Sequence, residues 1–373
     1  MKGEMDFSLT EEQEMLKKVA RNFLEKNCPS NLVREMEEEK DDTSKLWRQM
    51  AELGWMGLLF PAKYGGSEGN FLDLVILLEE LGRALAPVPF VPTMIVGLSI
   101  LSYGTEKQKQ EFLPKITRGD LILTLAWTEL EANYEVANVS IQAVAEGDEF
   151  VISGTKFFVP YGHAADYLLC VTRSRDEITP LLVERKAPGI SYTLLRTTAL
   201  DKQYEVVFAE VKVQKANMLG RQGQGGEIAR RILEQLAIAE CALMVGGAER
   251  VLEMSVKYAK ERVQFDRAIG SFQAIQHRCA DMMVDLDGAR LVTYEAAWKL
   301  SQGFPCALEV SVAKGWVNQA YQRICASGHQ VHGGIGVIMD HDMQLYSRRA
   351  KASEFMWGDT DFHRELVAQE LGL

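Results

Sequence analysis

Two short stretches carry the residues with the clearest chemical use. The first runs Glu261-Arg262-Val263-Gln264-Phe265-Asp266-Arg267-Ala268-Ile269-Gly270-Ser271-Phe272-Gln273-Ala274-Ile275-Gln276, the end of one helical pattern, a turn and the start of another. An arginine at such a break can grip a diphosphate through two parallel hydrogen bonds, while Phe265, Ile269, Phe272 and Ile275 offer apolar surface to a planar ring. The same residues suit a plainer role equally well, with Arg262 on the last helical carbonyls and the aromatics in a core. Spacing alone leaves both open. The second stretch, Gln330-Val331-His332-Gly333-Gly334-Ile335-Gly336, lacks side chains where a backbone would have to approach a ligand closely. By itself it is a weak signal, because a helix C-cap accounts for one glycine and a tight turn for another.

Composition narrows the class. With 47% apolar and 25% charged residues over 373 positions, the chain can bury a large core in two or three structural units. A net charge of -11 and the lack of any basic cluster argue against a nucleic-acid partner. Cys28, Cys170, Cys241, Cys279, Cys306 and Cys325 show no Cys-x-x-Cys spacing, so buried thiols in a reducing compartment are expected and a zinc site is not. His329, His332, His341 and His363 offer no metal-binding spacing either. The N-terminus is acidic, and the most apolar stretch, Val88 to Leu101, contains Pro89, Pro92 and Gly97 and is too short to span a bilayer. The expectation is a cytoplasmic protein with no membrane span.

The elements that must position the two stretches follow from periodicity. Thr10 with Gln13 and Thr105 with Gln108 read as capping boxes, the first opening a helix carried by Met15, Leu16, Val19, Ala20, Phe23 and Leu24, the second a helix ending near Thr117. From Leu121 the period changes. Phe150 to Ser153, Tyr167 to Val171 and Val206 to Val213 are short β-branched runs, which predicts an all-β insert. Helical periodicity returns near Gly226, first through Arg262, then over Phe272 to Leu300, Leu308 to Ser327, and Met343 to about Leu371. The first of these would span roughly 54 Å at ~1.5 Å per residue, a length that suits a bundle and an oligomer interface. The expected division is a helical domain over 1–119, a β-domain over 120–220 and a helical bundle over 221–373, a mainly α, α+β chain.

In this order the segments resemble the acyl-CoA dehydrogenase family. The resemblance extends over nearly the whole chain and includes the Phe7 to Phe23 helix, Tyr64-Gly65-Gly66, Glu79-Glu80-Leu81-Gly82, Gly104 to Lys109, Phe112 to Ile116, Trp127-Thr128-Glu129, Ile152 to Lys156 and both stretches above. It implies an N-terminal helical domain, a central β-barrel or sandwich domain, a C-terminal four-helix bundle, FAD at a subunit interface and assemblies of two or four subunits. In the family a glutamate takes the α-proton of an acyl-CoA thioester while flavin N5 takes the β-hydride. Carried over residue by residue, Arg262, Gln264, Phe265, Ile269, Phe272, Gln330, Gly333 and Gly334 match the part that holds the neighbouring subunit's FAD, with His332 a structural filler beside the adenine.

The half that would bind the subunit's own flavin and substrate departs from the family. Thr128 remains, but a Gly- and Ser-containing phosphate loop is replaced by Leu130-Glu131-Ala132-Asn133-Tyr134-Glu135, which removes close backbone approach and adds charge unfavourable to phosphate. Phe158 and Pro160 stand where the family typically has Trp and a hydroxyl residue that supports flavin N5. Asp359 and Asp361 stand where neutral flavin contacts are common. The usual C-terminal glutamate falls at Trp357, and the alternative helix glutamate falls near Leu236. Glu234, Glu240 and Glu354 are the carboxylates near enough to stand in; each has the plainer reading of a salt-bridged or solvated surface group. Three readings result: a base-lacking partner of a related chain in a heteromeric acyl-CoA dehydrogenase, a self-sufficient homomeric enzyme with a relocated glutamate, and a non-redox structural or CoA-ester-binding module. The resemblance implies an electron-transferring flavoprotein as electron acceptor. The stretch Leu81 to Phe90 also looks like degradative relatives acting on steroid side chains or other bulky acyl-CoA esters.

Overall fold

The computed structural model describes residues 7–38, 44–131 and 134–373. The chain divides into two compact units, one of residues 42–69 and 87–236, the other of residues 1–41, 70–86 and 237–373.

In the first unit, helices α3 (Ser44–Glu52), α5 (Phe90–Tyr103) and α6 (Glu106–Thr117) accompany a seven-stranded sheet. The strands are β1 (Leu123–Ala126), β2 (Gln142–Glu146), β3 (Glu149–Pro160), β4 (Tyr167–Ser174), β5 (Glu177–Glu184), β6 (Ile190–Leu195) and β7 (Gln203–Gln214). They lie in the order β1-β4-β2-β3-β7-β6, with β5 on β4. Ile152, Val159, Leu168, Leu181, Val206 and Phe208 fill the core as the inward-facing members of their strands. Thr93 ties α5 to β1 through reciprocal bonds with the Leu123 backbone, 3.0 and 3.1 Å. The β3–β7 pairing slips between Lys156 and Val159, and Phe158 inside that slip takes φ +52°. A bulge of this kind re-aims a side chain out of the pleat. The predicted Thr105–Gln108 box and the helix end at Thr117 are observed.

The second unit contains α1 (Glu11–Asn27), α2 (Ser30–Glu37), α4 (Phe71–Ala84), the residues from 237 onward of α7 (Gly225–Glu261), α8 (Gln273–Gln302), α9 (Ala307–His332), α10 (Met343–Phe355) and α11 (Thr360–Glu370). A two-stranded ribbon, β8 (Val263–Gln264) and β9 (Arg267–Ala268), joins α7 to α8. The Thr10–Gln13 capping box opens α1 as expected. Helices α4 and α7 cross with no room for a side chain: a Cβ on Gly246 would lie 1.8 Å from the Glu79 carbonyl oxygen, and one on Gly82 would lie 2.1 Å from that of Leu243. Ion pairs surround this crossing, with Arg21 on Glu80 at 2.8 Å and Lys17 on fully buried Glu79 at 3.0 Å.

Two elements differ from expectation, the first being α9, which runs past the expected end at Ser327 to His332. The last helix, predicted to run unbroken from Met343 to about Leu371, breaks at Met356–Asp359, where Trp357 has φ +60° and Gly358 φ +112°. Lys314 on α9 is the cause. Fully buried, its ammonium donates to Asn318 Oδ1 (2.6 Å), the Ser353 carbonyl (3.0 Å) and the Gly358 carbonyl (3.1 Å), and Asn318 Nδ2 donates to the carbonyls of Glu354 (3.3 Å) and Gly358 (3.4 Å). A buried ammonium must find three acceptors, and end-of-helix carbonyls supply them only if the chain turns there. Burial pulls this lysine below its ordinary value, and Cys241, Glu240, Glu354 and Asp359 offset part of that. On the far side of the turn, buried His363 donates from Nε2 to the Trp357 carbonyl at 3.1 Å, and the Asp359 carboxylate caps α11 through the Phe362 amide at 2.8 Å.

Gly246→Ala is expected to cost about 3 kcal/mol in urea unfolding, because a methyl there meets backbone rather than a movable side chain. Burial and the Lys314 charge push His363 down to about 4. Between the ordinary histidine value and that point the unfolded chain takes up a proton that the folded chain refuses. Stability is therefore lost as pH falls across this window, by about 3 kcal/mol at most. His363→Gln, which keeps the donor and cannot titrate, should remove that much of the pH dependence when unfolding is measured at several pH values; an unchanged slope would contradict the assignment.

Candidate functional site

The ribbon after α7 and the glycine turn after α9 both lie in the helical unit, where Tyr258 near the end of α7 stacks on His332 at the end of α9. Helix α7 stops as Arg262 donates its amide to the Tyr258 carbonyl at 2.8 Å, and the Ile269 amide returns to the Arg262 carbonyl at 2.8 Å, closing the ribbon. Phe265 and Asp266 form its tip at φ +54° and +62°, and Phe265 is 86% exposed. Its ring meets Phe272 edge-on at 6.1 Å, and the Arg267 guanidinium lies 4.0 Å from the Phe272 ring centroid. Gln264 is exposed with its amide on the Val263 carbonyl at 2.8 Å, and Ile269 is half-buried. Among the described residues the Arg262 guanidinium has no hydrogen bond to the final carbonyls of α7 and no ion pair, and Phe265 joins no core. The plainer roles left open by spacing are not the ones these two side chains fill.

Helix α9 delivers exposed Gln330 and then stops at Gly333, whose φ +61° and ψ −142° are open essentially to glycine alone. Around both Gly333 and Gly334 an added Cβ would meet nothing within 4 Å. These two glycines leave open space, as a cradle for a close-lying ligand must.

The β-domain cluster has a different character. Thr128 is half-buried, and its carbonyl accepts the Phe157 amide at 2.8 Å. It is held by a pair that sequence reasoning quoted but did not connect: buried Lys156 donates to the Glu129 carboxylate at 2.7 Å and the Trp127 carbonyl at 2.8 Å. Burial pushes the Glu129 carboxyl up, but Lys156 and Ser140 outweigh it and hold the group below its ordinary value. Phe158 is 47% exposed on the bulge. Pro160 offers no amide, and its carbonyl is taken by the buried Thr124 hydroxyl. In the loop after Glu129, Leu130, Glu131 and Glu135 are exposed and Tyr134 is half-buried, while Ala132 and Asn133 lie outside the described residues.

Of the candidate bases, Glu240 and Glu354 both face the Lys314 ammonium that holds the Trp357 turn, whereas Glu234 does not. Trp357 is 8% exposed, seated on the α10–α11 turn. Glu354 ends on Lys351 at 2.7 Å and Gln322 at 3.4 Å. Glu234 pairs with Arg231 at 3.2 Å. Glu240 is 8% exposed and adds favourably to the Lys314 charge. Asp361 is exposed at the start of α11. Sequence reasoning missed Lys314, whose signal was a lysine among Val310, Ala313 and Val317 with Asn318 one turn later on the same buried helix face. No group of three His, Cys, Asp or Glu side chains able to hold a metal occurs among the described residues. No helix among them is long and apolar enough to cross a membrane.

Comparison with known proteins gives a consistent result. The profiles of the acyl-CoA dehydrogenase N-terminal, middle and C-terminal domains match residues 10–120, 124–211 and 223–372. The chain is 32% identical to acryloyl-CoA reductase (NADH) of Anaerotignum propionicum, across 98% of this chain and 96% of that protein. A chain of the ChsE4-ChsE5 complex of Mycobacterium tuberculosis superposes with a TM-score of 0.90 at 30% identity, covering 99% of each chain. An acyl-CoA dehydrogenase from Geobacillus kaustophilus does so with 0.92 at 29%, covering 99% of this chain and 100% of that one. The mainly helical architecture, the mixed sheet between helical segments and full-length similarity together place this chain in the acyl-CoA dehydrogenase family, whose members are FAD-dependent oxidoreductases.

Proposed function

We propose that this chain is the base-lacking partner subunit of a heteromeric acyl-CoA dehydrogenase, completing the flavin site of a related subunit that carries the glutamate. The observation that carries this reading is Trp357, buried on a turn that Lys314 and His363 fix in place. An indole has no proton to take up at neutral pH, and a positioned base contributes roughly 10² to 10⁴ in rate.

The fit to FAD divides between the two clusters. Arg262, Phe265, Gln330, Gly333 and Gly334 suit the diphosphate and ring of a flavin nucleotide: a guanidinium without an ion pair among the described residues, an exposed aromatic ring and two glycines facing open space. Gln264, Ile269 and Phe272 support that ribbon. Thr128 and Phe158 in the β-domain suit it less well, since Pro160 has no donor and Glu131 and Glu135 oppose phosphate. When bound, FAD supplies a hydride acceptor. The chain's own residues bind and orient that group for the neighbour, and neither Trp357 nor Pro160 moves a proton or supports a hydride.

The substrate of the assembly is an acyl-CoA thioester. Its electron acceptor is of the electron-transferring flavoprotein class, its compartment is the cytoplasm, and 1–119, 120–220 and 221–373 serve as its three domains. The likeness to a chain of a two-component complex, ChsE4-ChsE5, supports this division of labour. One observation favours a second reading: Glu240 is a buried carboxylate one helical turn from Leu236, so a self-sufficient enzyme would draw its base from there.

Co-expression with a base-bearing paralogue separates the two. Arg262→Ala in this chain should strip flavin from the purified complex, read as loss of its visible absorbance. Glu234→Gln, Glu240→Gln and Glu354→Gln together should leave turnover within about twofold, where loss of a true base would cost roughly 10² or more. A hundredfold fall in the triple variant would overturn the proposal.

A further inference from the structure

Three histidines stand at the foot of the glycine turn, and their partners fix where each proton sits. His332 is 5% exposed and donates from Nδ1 to the Gly328 carbonyl at 2.8 Å. Its ring stacks on Tyr258 at 4.7 Å and meets His341 edge-on at 5.0 Å. His329 donates from Nε2 to Ser347 Oγ at 2.6 Å, because that hydroxyl spends its own proton on the Met343 carbonyl at 2.9 Å. His329 Nδ1 is buried and makes no hydrogen bond of normal geometry among the described residues, though the Gly336 backbone beside the ring offsets part of the effect of burial.

His341 is the informative one. Its Nδ1 accepts the Met343 amide at 3.2 Å, and Met343 is the first residue of α10. The N-cap residue, Asp342, provides no side-chain cap, since its carboxylate is held by Arg34 at 2.8 Å. An imidazole thus caps this helix through its lone pair. Protonation at Nδ1 would remove that acceptor and set a cation against the positive end of the helix dipole. The same segment holds the turn: Gln344 donates to the Gly336 carbonyl at 3.0 Å, and the His341 amide donates to the Ile338 carbonyl at 3.0 Å.

We propose that His341 is a proton-sensitive latch on the glycine turn: neutral, it caps α10 and holds residues 333–342 in place; protonated, it releases them. The charged groups around the histidines bear on this. Glu253 and Glu261 from α7 and Asp340 and Asp342 from the loop line the same 450 Å³ cleft as His332 and His341, together with Arg250 and Lys257 from α7, and Arg34 from α2 reaches the Asp340 carbonyl and the Asp342 carboxylate. Burial holds His332 and His329 below the ordinary histidine value. The consequence for cofactor retention rests on the proposed role of Gly333 and Gly334; the latch itself does not.

Amide hydrogen exchange on the full-length chain tests it without flavin or substrate. After correction for intrinsic rates, protection over residues 333–345 should fall about tenfold between about pH 7.5 and 5.5, the scale of a lost helix cap, while α8 stays unchanged. In His341→Asn, whatever its starting protection, the same pH change should alter it less than about twofold. Ring-nitrogen NMR of the unsubstituted chain gives a second readout: the His341 Nδ1 lone-pair signal should vanish over the same interval. A turn that ignores pH, a His341→Asn chain that responds as the wild type does, or a His341 ring that stays neutral would overturn the latch. A flavin-loaded, active lone chain would overturn the partner-subunit reading and leave the latch standing.

Discussion

The buried ammonium of Lys314 is the constraint on which the candidate site turns. Removing a charge from water costs several kcal/mol unless its donors are all met, so the chain around it is obliged to present oxygens. Asn318, Ser353 and Gly358 do so, and the last two are available only because the helix stops between them. That stop forces Trp357 into a left-handed backbone conformation unusual for a bulky residue. The identity of residue 357 therefore matters more than that of its neighbours, since the turn delivers whatever side chain stands there to one fixed place.

A second constraint acts at the other end of the bundle. The ribbon between α7 and α8 exposes an arginine and a phenylalanine, and the glycine turn after α9 exposes bare backbone. An 86% exposed phenylalanine beside an arginine without an ion pair among the described residues is the surface that the proposed flavin contact would cover. In the β-domain, by contrast, Lys156 and Glu129 keep the scaffold around Thr128 intact while Pro160 offers no donor, as the proposed partner-subunit role would require.

Much of the scaffold was legible in the sequence for physical reasons. Thr10–Gln13 and Thr105–Gln108 satisfy orphan amides in a pattern visible from residue types alone, and both boxes form. The β-branched runs at Phe150, Tyr167 and Val206 became β3, β4 and β7, with alternating burial along parts of β3 and β7 and a continuous buried run in β4, both patterns that a short apolar strand allows. The break at Met356–Asp359 was not legible, since it is dictated by a lysine some forty positions earlier that reads as an unremarkable helix residue. The Arg262 guanidinium and Phe265 were readable only as two equal options until burial showed both side chains at the surface. The cap on α10 was likewise invisible, because His341 occupies a role ordinarily taken by Asp, Asn, Ser or Thr.

The most direct test of the missing base uses the chain by itself. The isolated protein, supplied with FAD and kept free of oxygen, is mixed with straight-chain, branched and ring-bearing acyl-CoA thioesters while the flavin absorbance is followed. If the residue at 357 has replaced the proton acceptor, the oxidised flavin spectrum persists with every thioester; bleaching by any of them, lost again in Glu240→Gln, would contradict it and restore this chain as an enzyme in its own right.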